Sequence, residues 1–148
     1  MANVNDSLAF HLGLIGTVAT DRYAARLEKI ELKPKHVGLM LVLQAGLASS
    51  QLEIAKVMDV APSLVVMFAD HLEELGAIKR VRDPADRRRQ MLSLTDKGRV
   101  LLYDCAGMAK SLDQEIAADL SKEERALLTA MLARIGTRLG LPLVRQAQ

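Results

Sequence analysis

The chain contains no tryptophan, and Tyr and Phe contribute only two residues each. Half of its residues are nevertheless hydrophobic, so Leu, Ala, Val and Met must supply the core. That balance fits helix packing and argues against a sheet sandwich. Cysteine occurs once, as Cys105, which excludes an intrachain disulfide framework. No apolar run reaches the roughly 20 residues needed to span a bilayer. Met1–Asp6 lacks the basic region and small-residue cleavage pattern of a signal peptide, so a soluble cytoplasmic protein is expected. A glycine-rich phosphate loop, a nucleophile elbow and paired carboxylates are all missing, so neither enzyme activity nor a cofactor is expected. His11, His36 and His71 fall in different segments, and no His/Cys/Asp set has metal-ligand spacing. No metal site is expected.

Net charge is small overall and the positive charge is concentrated locally. The 148 residues carry a net +2, yet Lys79 to Arg99 holds eight Lys/Arg against three Asp. Everything outside that segment is therefore slightly acidic. Its centre, Asp83-Pro84-Ala85-Asp86-Arg87-Arg88-Arg89, separates two short strand-like runs, Ala77–Arg82 and Gln90–Leu94. Two strands joined by a basic loop form a hairpin whose tip carries guanidinium groups into solvent. Such a tip suits phosphates and the negative potential of a DNA minor groove.

The flanking periodicity predicts about six helices. Leu8, Leu12, Ile15, Ala19, Tyr23, Leu27 and Ile30 form one stripe of a helix over 7–31. Pro34 opens a second helix, apolar on nearly every side and expected at the buried centre, with Gly46 as its stop. Ser50 and Glu53 make a capping box for a short helix to about Met58; Pro62 opens the next, closed by Gly76. A short helix, a tight turn and a second helix followed by a hairpin is the order of a winged helix-turn-helix. Thr95 should cap a long helix to about Leu120, and Ser121 with Glu124 a final one bearing Leu128, Met131, Leu132, Ile135 and Leu139. Apolar stripes at both ends of so short a chain point to a homodimer, which also suits palindromic DNA. The fold class is thus mainly α with a small β-hairpin wing, in one domain without repeats or linkers.

Asp86-Arg87-Arg88 followed by Leu94-Thr95-Asp96-Lys97-Gly98 resembles the wing-to-helix signature, D-x-R then L-T-x-x-G, of the MarR family of bacterial transcriptional regulators. Leu72-Glu73-Glu74-Leu75-Gly76 is similar to the family's helix end before the wing. The resemblance covers nearly the whole chain and is sharpest between about Ser50 and Gly98. It implies a homodimeric repressor released from a palindromic operator by a small phenolic or anionic effector. It also implies that Arg88 reaches the minor groove, steadied by an ion pair with Asp86. The DNA-binding lobe is then expected at about 47–98 and the dimerisation region at about 7–46 and 99–148. An effector pocket would lie between the first two helices, the fifth helix and the DNA-binding lobe, with His11, Arg22, Tyr23, Arg26 and His36 as candidate polar groups.

Double-stranded DNA is expected to meet Ser50, Gln51, Ser63, Val66, Met67, His71, Arg82, Asp86, Arg87, Arg88 and Arg89. Here the chain departs from the family, which commonly carries hydroxyl and basic side chains on the recognition helix. Ser63-Leu64-Val65-Val66-Met67 stands instead, with Asp70 repelling phosphate. Val66 and Met67 offer thymine methyls an apolar contact but no bidentate hydrogen bonds. Either the wing and DNA shape carry recognition, or the protein is a dimeric small-molecule- or partner-binding protein with weak sequence-specific DNA contact. A third reading is a thiol redox sensor at Cys105, although its nearest charge, Asp104, would raise the thiol pKa and favour a packed core cysteine.

Overall fold

The computed structural model describes residue 1 and residues 3–142. The end of the expected C-terminal dimerisation region, 143–148, lies outside the described residues. Six α-helices and one hairpin follow in the order α1 (Leu8–Leu27), α2 (Pro34–Gln44), α3 (Gln51–Met58), α4 (Pro62–Glu74), β1 (Ile78–Arg82), β2 (Gln90–Leu94), α5 (Asp96–Ile116) and α6 (Lys122–Arg138). No helix among the described residues is long and apolar enough to cross a membrane.

Local chemistry sets most boundaries. Ser50, Thr95 and Ser121 each accept a backbone N–H from the first turn of the helix they cap, and Glu53 and Glu124 complete two capping boxes. Ala61, with no side chain to offer, leaves α4 uncapped, and Pro62 starts it instead. Two expected helices end early. α1 stops at Leu27, tightens into a 3-10 turn over Glu28–Ile30 and is closed by Glu31 in the left-handed region. α5 stops at Ile116, because residues 117–120 form the turn that delivers Ser121 to its cap.

The core is built around α2, which buries His36, Val37, Leu39, Met40 and Val42. Against it pack Leu27 of α1, Ile54 of α3, Val65, Phe68 and Leu72 of α4, Leu92 of β2, and Leu102 and Cys105 of α5. β1 and β2 are antiparallel, with Ile78 opposite Leu94 and Arg82 opposite Gln90. A single bridge from Ser50 to Met91, and the Leu92 N–H donating to the Ser49 carbonyl, fasten the hairpin to the start of α3.

The two ends differ from this middle. Leu14, Ile15 and Val18 of α1 are at least half exposed, and α6 leaves Leu127, Leu128, Met131 and Leu132 open. Gly136 is the only buried residue that α6 provides among the described residues.

Candidate nucleic-acid interface

The wing is a seven-residue loop braced by two aspartates. Asp83 Oδ1 accepts the Ala85 N–H at 2.9 Å, and Asp86 Oδ1 accepts the Arg88 N–H at 3.0 Å. Such Asx turns stiffen a loop without any regular structure. Asp86 therefore steadies Arg88 through the backbone; no ion pair joins the two side chains among the described residues. Arg82, Arg87 and Arg88 are exposed and carry no ion pair there either. Arg89 turns back instead, pairing with Glu53 of α3 and lying 3.9 Å from Asp83. The backbone N–H groups of Ser50 and Ser49, with Arg89, hold the Glu53 carboxyl below its usual range. A groove of about 470 Å³ runs between Ser50, Gln51 and Lys56 on one side and Asp86 and Arg88 on the other.

Arg80 was absent from the sequence-derived set, yet it ties that surface together. Its guanidinium meets Asp70 at 2.6 Å and Glu73 at 3.5 Å, and donates to Gln51 Oε1 at 3.2 Å and to the Val66 carbonyl at 3.3 Å. Asp70, expected to repel phosphate, is thus charge-compensated. The signal was present: a strand's period of two puts Arg80 on the same face as buried Ile78, so its stem had to run inward along α4. Ser63, Val66 and Met67 are exposed on the outward side of α4.

The base of the wing is locked to α5. Thr95 Oγ1 donates to the carbonyls of Gly76 and Ala77, at 2.6 and 3.0 Å, while accepting the Gly98 N–H at 3.0 Å. A Cβ on Gly98 would sit 2.1 Å from the Ala77 carbonyl oxygen, so only glycine permits this approach. Gly76, at φ +72°, makes the preceding turn. The T-x-x-G spacing has a direct steric meaning.

The candidate effector groups do not converge. His11 lies on the exposed start of α1; Arg22 and Arg26 both bind Glu115 of α5; and the Tyr23 hydroxyl donates to the Cys105 carbonyl at 3.1 Å. Burial, with Cys105 nearby, pushes Tyr23 up to about 12. His36 stands elsewhere, stacked on His71 with ring centroids 4.7 Å apart. His36 Nδ1 accepts the Lys33 N–H at 2.9 Å, and His71 Nε2 donates to the Glu31 carbonyl at 2.5 Å. Burial first, then His71 and Lys33, lowers His36 to about 4, so it is neutral at pH 7. The two imidazoles help to line a pocket of about 400 Å³ with Glu28, Glu31, Leu32, Lys33, Met67 and Phe68. His71, expected at the DNA face, belongs to this pocket as well. Cys105 is buried, and burial followed by Asp104 raises its thiol to about 11.

Two helices joined by a tight turn and followed by a braced hairpin define a winged helix-turn-helix. The MarR family model matches residues 33–89. Over 129 residues the chain is 33% identical to a Thauera aromatica protein assigned as transcriptional regulator of the hcr operon, spanning 86% of this chain and 78% of that relative. Apo MarR from E. coli shares the fold at 19% identity and a TM-score of 0.78, over 87% of this chain and 96% of that one. The repressor CouR, solved bound to a 23-mer DNA duplex, is 27% identical with a TM-score of 0.74, over 92% and 96%. This chain belongs to the MarR family of transcriptional regulators, which are non-enzymatic transcription factors.

Proposed function

We propose that the chain is a homodimeric repressor that binds a palindromic operator and leaves it when a small aromatic effector binds. DNA binding is supported by the braced wing, whose exposed Arg82, Arg87 and Arg88 are left to neutralise phosphate or enter a minor groove. Arg89 serves mainly to hold the wing against α3. Residues 47–98 form the DNA-binding lobe, and 7–46 with 99–148 the dimerisation region, where the exposed apolar residues of α1 and α6 meet a second copy.

The observation that carries the effector reading is a shared wall. Met67, Phe68 and His71 line the pocket from α4, and Met67 also stands on that helix's outward side, 53% exposed. An occupant would press on the helix that faces DNA. Leu32, Met67 and Phe68 offer an apolar slot, while His71, Lys33 and the neutral His36 offer hydrogen bonds. Glu28 and Glu31 at the same pocket favour a phenol over a multiply charged anion. The raised Cys105 thiol is protonated at neutral pH and a poor nucleophile, which speaks against a redox sensor.

Fluorescence anisotropy on a palindrome from the chain's own promoter, titrated with a panel of phenols, tests this reading. Salt-dependent binding reversed by one phenol, with His71→Ala blunting the reversal, is the expected result. Binding that no compound alters would remove the effector half and leave the DNA half.

A further inference from the structure

We propose that the outward face of α4 recognises the 5-methyl groups of thymine in the DNA major groove, through Val66 and Met67. The inference rests on the DNA-binding reading and names what that surface selects.

Ser63, Val66, Met67 and Asp70 share the outward arc of α4 over its first turns, and exposed Glu74 continues it at the helix end. Arg80 occupies the Asp70 carboxylate and also takes the carbonyl oxygen of the Gln51 side chain. Gln51 therefore has one of its two carbonyl lone pairs engaged and its side chain turned toward Arg80, away from a free bidentate fork. One hydroxyl, on Ser63, and two apolar side chains, 39% and 53% exposed, are what the N-terminal part of the face has left. A base pair presents donors and acceptors in the major groove, plus one apolar group, the thymine methyl. Val66 or Met67 set against guanine O6 or cytosine N4 would strip water from a polar atom and return no hydrogen bond. Against a thymine methyl the same side chains bury apolar surface on both sides. Duplex DNA is the occupant that the surroundings favour. The face continues through Arg80 and Gln51 to the groove lined by Lys56 and Arg88, so cations flank the apolar patch where phosphates would flank a base.

The test alters the DNA and leaves the protein intact. The full chain is used to enrich duplexes from a random pool, and the tightest duplex is remade with deoxyuridine replacing thymine, one position at a time. Each replacement removes a methyl and leaves base pairing unchanged. The expected result is an affinity loss of about fourfold per contacted methyl, at one or two positions per site. Val66→Ala and Met67→Ala should each shrink that difference while keeping the salt dependence. Equal binding of thymine and uracil duplexes overturns the inference and leaves the DNA-binding reading standing. Absence of salt-dependent binding to every duplex in the pool overturns both.

Discussion

The middle of the chain and its two ends solve the burial problem in opposite ways. Around α2, from Leu27 to Cys105, apolar side chains close on one another, and polar groups are matched: Thr95 to the Gly76 and Ala77 carbonyls, Arg80 to Asp70, Arg89 to Glu53. The first half of α1 and nearly all of α6 do neither. Leu14, Ile15, Leu128 and Met131 face outward in a single chain, and a groove of about 420 Å³ between α1 and α5 is lined by Leu14, Ile15, Val18, Ala19 and Ile116, with the Arg22–Glu115 pair beside them. A region with a closed core and ends with open apolar stripes thus share a continuous backbone. The openness follows from amphipathic stripes with nothing of their own to cover.

The sharpest way to break the contrast is to charge the ends. Leu128→Asp with Met131→Asp should weaken dimerisation by at least about 100-fold, since each apolar side chain is worth about 1.5–3 kcal/mol on burial and appears twice in a dimer. Analytical ultracentrifugation should find monomers whose circular dichroism still shows a folded middle. An unfolded monomer would mean the middle is not self-sufficient. Next in size is Gly98→Ala. Its Cβ would meet the Ala77 carbonyl oxygen and, at 2.7 Å, Leu94 Cδ1, so the fold should lose about 3 kcal/mol in urea melts.

Arg88→Ala should cost about 1–3 kcal/mol in DNA affinity, roughly 10- to 100-fold, and flatten the log–log salt slope by about one unit. Val66→Ala or Met67→Ala should cost much less, because the wing anchors and α4 discriminates. Equal affinity in wild type and Arg88→Ala would reverse those roles. A smaller effect is set by pH. His36 is lowered from its ordinary 6.5 to about 4 in the fold, so between those values the unfolded chain binds a proton that the folded one refuses. Stability should fall as pH drops through that window, and His36→Leu should flatten the dependence of the urea midpoint. Smallest of all, Cys105→Ser should cost about 1 kcal/mol for a hydroxyl in a buried site and leave DNA binding unchanged with or without peroxide.

What the sequence made legible was local. Ser50 and Glu53, Ser121 and Glu124, and Thr95 sit within four residues of the groups they satisfy, so their spacing reveals the helix starts. The burial of α2 was equally readable, because it has no polar face to turn outward. The site was only half visible. The arginine-rich tip announces itself in one dimension, but the partners of Arg80 lie at residues 51, 66, 70 and 73, and Arg89 reaches back 36 positions to Glu53. His36 and His71, far apart in the chain, meet only because α2 and α4 cross. Arg22 and Arg26 showed the same limit: the family resemblance offered them to a ligand, and Glu115, distant in sequence, took both.

The lock at Thr95 and Gly98 joins the base of the hairpin to the long helix that follows it. With Thr95 gripping two carbonyls there, the strands are tied to the first turn of α5 as they are to α3. At 1.5 Å per residue, the 21 residues of α5 form a rod roughly 30 Å long. Pivoting that rod by about 10° around its far end swings the near end by about 5 Å, more than the rise of one base pair along a duplex. A displacement at the far end of α5 would therefore reach the arginines magnified, as an oar is steered from its handle.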